Sequence, residues 1–420
     1  MEKLLRHSLM APLIFLFMLP VSGYSYPLDG YADTGIRRLA RQAMILEGKL
    51  KGPMPVVGAR RSVFEIKLNL RGEAERSMTS FPAPDSKLQA EINALFPDRH
   101  ESYSLAVLDI SPGRPIRFAQ RQPDRQFSPG SVGKLAIVAG LFSELETLFP
   151  DSVSKRHELL RERMVVAGHW IHHDDHVVPM YHPEGGSFIS RPIKEGDVFS
   201  LYEWADHMLS ASANAAASTV WKEIMLMRHF GKAYPPSVEE EKAFFDKTPK
   251  NILRDMAMST VNDPLRKIGI EQKDWQLGSF FTRNGKKIVP GGGKSAATPL
   301  GLLTYLMALE QGRIVDEWSS LEIKRLMYMT AKRIRYASSP ALNHAAVYFK
   351  SGSLYRCKPE PGFRCRKYMG NVENDMNSVV IVEHHDGRVY LVALMSNVLR
   401  KNSAVDHQTI GTFIDRILSK

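Results

Sequence analysis

The sequence predicts an α+β chain, with antiparallel strands towards both ends and helices between and after them. Three observations carry this. Residues 103–110 and 115–121 are apolar, strand-like runs joined by the turn Ser111-Pro112-Gly113-Arg114. Residues 378–384 and 388–395 are apolar and β-branched and meet at Asp386-Gly387, a strong hairpin sequence, with a further strand-like run at 347–354. Between these two sets, apolar residues recur mainly at helical spacing.

Composition sets the frame. With 420 residues and 44% hydrophobic content the chain can bury a large core, and its 24% charged residues do not suggest disorder. The formal net charge is +11. No Lys/Arg-rich run, interleaved aromatics or zinc-finger spacing accompanies it, so nucleic acid is not an expected partner. A solvated basic surface is the simpler reading, and an exported protein of this charge meets anionic envelopes first. Lys3 and Arg6, the apolar run 9–20 and the small residues Ser22, Gly23 and Ser25 follow the order of a secretory signal peptide over about residues 1–25. A secreted or periplasmic protein is therefore expected. In such a compartment Cys357 and Cys365, the only cysteines, read as one disulfide clipping a loop, with two free thiols as the alternative.

Taken in order, residues 26–100 read as an N-terminal extension packed on a main unit of residues 101–420. Within the extension, 36–46 has helical spacing and a basic face, Gly52-Pro53-Met54-Pro55 breaks it, 62–70 alternates like a strand, and 86–96 reads as a helix. After the first hairpin, a helix is expected over 152–166. The stretch His169 to His176, with His182 nearby, is dense in imidazoles and carboxylates. Its spacing matches no metal-site pattern, so a polar loop is expected and no metal is assigned. Helices are expected at 199–208 and up to 227, and a solvated insertion at 234–250 with Glu239-Glu240-Glu241. Further helices are expected at 298–311, 315–329 and 404–418. Gly291-Gly292-Gly293-Lys294-Ser295 ends like a phosphate-binding loop but lacks its first glycine, Ile288 standing there.

The chemistry centres on Ser128-Pro129-Gly130-Ser131-Val132-Gly133-Lys134, followed by the apolar run 135–142. Residues three apart on a helix share a face, so the Lys134 amine can sit beside the Ser131 hydroxyl. A serine needs an adjacent base to become a nucleophile, and a lysine in an apolar pocket becomes one because desolvation lowers its pKa. A helix start adds free N–H groups suited to a developing oxyanion. The same residues also fit a helix cap with a surface lysine. Two later clusters bear on the choice: Ser212-Ala213-Asn214 between two helices, and Lys350-Ser351-Gly352 on a strand. Singly, Ser212 and Asn214 also fit helix caps, and Lys350 an edge-strand gatekeeper.

Ser-x-x-Lys, Ser-x-Asn and Lys-Ser-Gly, in this order and on these elements, resemble the motif set of the serine β-lactamase and penicillin-binding protein superfamily, closest to the class A β-lactamase-like group. The resemblance covers about residues 100–420. It implies a β-lactamase-like α+β fold: a central antiparallel sheet flanked by helices plus an all-helical subdomain, with the site between them. By position it implies Ser131 as acylated nucleophile, Lys134 as its base, and Ser212 as proton relay to the leaving nitrogen. Asn214 would bind the substrate amide. Lys350 and the Ser351 hydroxyl would bind its carboxylate, with Gly352 allowing close approach. The N–H groups of Ser131 and Ser353 would form the oxyanion hole. The implied activity is that of a serine hydrolase on β-lactam amides or D-Ala-D-Ala-type peptides, in a peptidoglycan context, as a monomer and without cofactor. A non-catalytic envelope-binding protein that kept the fold is the alternative. Two positions depart mildly from the pattern: Ala213 stands for Asp and Ser351 for Thr. A third departure matters more. The Glu-x-x-Leu-Asn stretch that supplies the deacylating base in class A enzymes is missing from 269–289, where Glu271 and Asp274 lie too early. Slow deacylation is therefore expected.

Overall fold

A computed structural model describes residues 29–330 and 332–420; the signal peptide expected over about residues 1–25 lies outside the described residues. The chain enters through two helices, α1 (Tyr31–Thr34) and α2 (Arg37–Leu46). The basic face expected on α2 turns inward. Arg37 pairs with Glu203, and buried Arg38 donates two 2.6 Å hydrogen bonds to buried Asp206 and another to Met329 O. Residues 62–70 form no strand, contrary to the alternation. Ser62 and Glu65 close a reciprocal cap around a short 3-10 turn. Ile66, Leu68 and Leu70 are then buried in alternation on an extended chain held by Glu310 rather than by a ladder. Helices α3 (Glu73–Ser77) and α4 (Ser86–Asn93, started by an Asp85 cap) follow, the latter about one turn shorter than expected.

Strands β1 (Ser104–Asp109) and β2 (Arg117–Arg121) form the expected hairpin. A 3-10 turn at Gly130–Gly133 runs into α5 (Lys134–Leu148), so Ser131 sits on the tighter turn just ahead of the α-helix. Helix α6 (Val153–Glu162) stops short of 166. Its expected last turn is instead β3 (Met164–Val166), which pairs antiparallel with β6 (Val198–Ser200). The hairpin β4 (Val177–His182) and β5 (Ser187–Pro192) lies between them in sequence. Helix α7 (Leu201–Leu209) carries a Ser200–Glu203 capping box, and α8 (Asn214–Phe230) follows after a four-residue link. The expected solvated insertion is corrected: Ser237 and Glu240 cap helix α9 (Val238–Lys247), which buries Phe244 and Phe245, the latter edge-on against Trp170. The three glutamates sit in its first turn, where the helix dipole favours them.

Helix α10 (Lys250–Lys267), β7 (Trp275–Gln276), α11 (Arg283–Ile288) and β8 (Ala296–Ala297) lead to α12 (Pro299–Glu310) and α13 (Glu317–Tyr328). Strands β9 (Ala346–Arg356), β10 (Glu373–Glu383) and β11 (Val389–Asn397) and helix α14 (Ala404–Leu418) complete the chain. The five-stranded antiparallel sheet has the order β2-β1-β11-β10-β9, so the two ends of the sequence meet at the β1–β11 pair. Both faces of the sheet are covered. Leu391, Ala393 and Met395 join the core with α5 and α12, while Tyr390, Val392 and Leu394 pack with α4 and α14. A strand buried on both sides reads as an unbroken apolar run, as 389–395 does.

Candidate active site

Three elements converge on one point: the turn before α5, the link between α7 and α8, and edge strand β9. Lys134 is fully buried. Its Nζ lies 3.0 Å from Ser131 Oγ, 2.5 Å from Ser212 O and 2.8 Å from Asn214 Oδ1. The last two atoms are pure acceptors. A neutral amine gives its two N–H groups to them and turns its lone pair to Ser131, the one partner with a proton to release. Burial pushes Lys134 down to about 7, against the pull of the Asp174 carboxylate, so the neutral form is accessible near neutrality. The surface-lysine reading is thereby overturned.

Lys350, also buried, donates to Ser212 Oγ at 2.8 Å and to Ser351 O at 3.1 Å. Burial pushes it well below the usual lysine range, and the charges of Lys134 and Arg335 add to this. Ser212 thus stands between the two amines, its carbonyl on Lys134 and its hydroxyl on Lys350. It holds a φ of +62°, a costly conformation for a non-glycine residue. Neither Ser212 nor Asn214 caps α8: the cap position is Ala213, and no side chain bonds there. Asp174 supplies the missing acceptor from another element, taking the Ala215 N–H at 2.7 Å.

Close approach of backbone fixes the rest. A Cβ on Gly352 would lie 2.1 Å from Pro129 O and 3.0 Å from Ser131 N, and one on Gly130, at φ +51°, would lie 2.6 Å from Ser353 N. Only glycine lets the 129–132 turn rest on β9 in this way. Arg335, itself at φ +54°, donates to Gly352 O. Because C=O and N–H of a trans peptide point opposite ways, this hydrogen bond turns the Ser353 N–H away from Arg335, and Ser353 N is the atom the Gly130 position nearly touches. The turn is gripped from β10 as well. Asp375 accepts the Ser128 N–H at 3.0 Å, and Asn377 donates to Ser128 O at 2.8 Å. Burial raises Asp375 to about 7.

Residues Arg335, Asp375 and Asn377 were not singled out from the sequence. The last two lie in the mostly polar stretch 373–378, ahead of the apolar run that starts at Val379; polar side chains continuing a strand were the available clue. Arg335 left none. In the 269–289 region the structure places Leu277 against Gly133 and the Phe281 ring 4.9 Å from Lys134 Nζ. Glu271 is exposed and paired with Lys273. Of the histidine-rich stretch, Asp174, Asp175 and His176 come within reach of one cation, but Asp174 is already engaged by Ala215 and, at 2.5 Å, by His176. Cys357 and Cys365 are joined, with Cα atoms 6.2 Å apart, in the loop between β9 and β10. That loop also carries Tyr368, over whose ring the Arg335 guanidinium lies at 5.1 Å. No helix among the described residues is long and apolar enough to cross a membrane.

No family model matches the chain, and no curated protein matches it by sequence. Solved structures do match. The TLA-3 extended-spectrum β-lactamase is 13% identical over 79% of this chain and 98% of that one, with a TM-score of 0.52. A β-lactamase from Chitinophaga pinensis gives 13%, 79%, 98% and 0.51. A variant of PBP-A, solved as an acyl-enzyme complex with penicillin G, gives 14%, 80%, 98% and 0.50. The chain has the fold of the serine β-lactamase and penicillin-binding protein superfamily.

Proposed function

We propose that the protein is an exported serine hydrolase that works through an acyl-Ser131 ester on β-lactam amides or D-Ala-D-Ala-type peptides. The observation that carries this is the Lys134 amine, desolvated to about 7 and 3.0 Å from Ser131 Oγ, with carbonyl oxygens occupying its other two partners. Lys134 takes the proton as Ser131 attacks the acyl carbon. The N–H groups of Ser131 and Ser353 receive the oxyanion; one such donor is typically worth about 3 kcal/mol. Ser212, bonded to Lys350, returns a proton to the leaving nitrogen. Asn214 holds the substrate amide, and Lys350 with Ser351 holds its carboxylate.

Hydrolysis of the ester then needs a positioned base, worth about 10²–10⁴ in rate. Glu271 is exposed and paired with Lys273, and Phe281 is what the region 269–289 brings over Lys134, so in this reading Lys134 acts twice. The acyl-enzyme is expected to accumulate. Intact mass spectrometry with a penicillin and with a D-Ala-D-Ala peptide tests the reading. A long-lived adduct that disappears in Ser131→Ala is expected. Absence of any adduct would favour an envelope-binding protein instead. Sustained turnover of a chromogenic cephalosporin at tens per second would reveal a base elsewhere.

A further inference from the structure

A groove of about 480 Å³ opens beside the site, within the roughly 300–1,000 Å³ range of sites that hold drug-sized ligands. It shares Ser212, Lys350 and Ser351 with the site, while Ser131, Lys134 and Asn214 do not line it. Its other walls come from α2, the β4–β5 hairpin and the turn at 332–334. Phe188 and Ile334 supply apolar surface, and Arg41 and Lys332 supply charge. No carboxylate lines the groove. The acids of α7 near this end are taken: Glu203 by Arg37 and Asp206 by Arg38. Arg41, one turn further along α2, lies 4.0 Å over the Phe188 ring. Among the described residues neither Arg41 nor Lys332 has an acidic partner. Cations facing an apolar wall, with no acid among them, are a surface complementary to an amphipathic anion.

We propose that this groove binds the leaving half of the substrate and favours there, over the single carboxylate of a terminal D-Ala, an extended dianion: one carboxylate for Lys350 and Ser351, an apolar body on Phe188 and Ile334, and a second carboxylate for Arg41 and Lys332. The proposal rests on the acyl-transfer reading for its direction, because Ser212 and Lys350 serve the leaving side there. The Ser131–acyl bond forms as the bond from the acyl carbon to the leaving atom breaks. Lys134 takes the proton lost by Ser131, while the Ser212 hydroxyl gives its own proton to the leaving atom and takes one back from Lys350, with which it is hydrogen-bonded. The departing dianion then leaves through the groove.

Two measurements test it. Calorimetry on the full chain compares 5-phenylisophthalate, a dianion, with biphenyl-3-carboxylate, its monoanionic counterpart. The dianion is expected to bind about tenfold tighter, the scale of one charge-assisted contact. That margin should vanish in Arg41→Ala/Lys332→Ala and return in part with Arg41→Lys. The exposed Lys332→Ala alone, whose fold is not at stake, should reduce it. Equal affinities, or a margin indifferent to these changes, overturn the proposal. The second measurement compares hippuric acid esters of 5-hydroxyisophthalate and 3-hydroxybenzoate, each corrected for alkaline hydrolysis. Ester acylation should favour the dianionic leaving group in the same variants-dependent way, and no preference overturns the assignment of the leaving side. Failure of penicillin to label Ser131 would sink the acyl-transfer reading without altering the calorimetry, so the two failures are distinguishable.

Discussion

At the scale of single residues, Lys134 and Gly352 carry the sharpest consequences. The base must be neutral, and its folded value is about 7, so acylation by penicillin should rise with pH below 7 and level off above it. Asp375 also titrates near 7, and its ionised form is the better acceptor for the Ser128 N–H, so it acts in the same direction. Stopped-flow acylation of Asp375→Asn separates the two: the rising limb should persist, and its loss would assign the limb to Asp375. Gly352→Ala forces a methyl group to within 2.1 Å of Pro129 O, so β9 must withdraw from the nucleophile turn. We expect a loss of about 1–3 kcal/mol in stability, the usual cost of overpacking. Acylation should slow by about 10²-fold as the oxyanion donors separate. Wild-type acylation in this variant would show that the contact is not needed.

At the scale of elements, the loop between β9 and β10 links covalent structure to the site. The Cys357–Cys365 bond closes the loop that carries Tyr368 onto Arg335, and Arg335 holds Gly352 O. Closing so short a loop contributes about 2–3 kcal/mol in the chain-entropy model. Cys357→Ser/Cys365→Ser should lower the melting temperature accordingly and also slow acylation, because Arg335 orients the Ser353 peptide. A lower melting temperature with unchanged acylation would confine the loop to stability. Thiol labelling of the denatured, unreduced protein should find no free cysteine. The β-strand misreading at 62–70 belongs to this scale as well. Alternation reports which side chains are buried, and here it did so correctly, but a strand also needs a neighbour with free backbone groups, and Glu310 supplied the hydrogen bonds instead.

At the scale of the whole molecule, the N-terminal segment is bolted to the body through charges buried on both sides. Arg38 and Asp206 are almost fully excluded from water and doubly hydrogen-bonded. Removing one partner of a buried pair leaves an uncompensated charge, so Arg38→Ala should cost about 3–5 kcal/mol in a denaturant melt. A variant as stable as the native chain would mean that Asp206 finds another partner or a proton. The same pair positions α2 alongside the site, and α2 places Arg41 in the groove.

The sequence alone was enough to determine the two hairpins, the order of the three polar clusters and the elements that bear them. These depend on local patterns: period-two and helical spacing, turn residues such as Asp386-Gly387, and serine or glycine at element ends. Tertiary structure decided everything that turns those clusters into a chemical site. Whether Lys134 is a surface ammonium or a buried base depends on Ser212 and Asn214, some eighty residues on, and on the walls that exclude water. The inward turn of Arg37 and Arg38, the aromatic ring at Phe281, and the grip of Arg335, Asp375 and Asn377 on backbone were likewise invisible beforehand. Burial and orientation arise from contacts between segments far apart in the chain, and local spacing holds no record of which segments will meet.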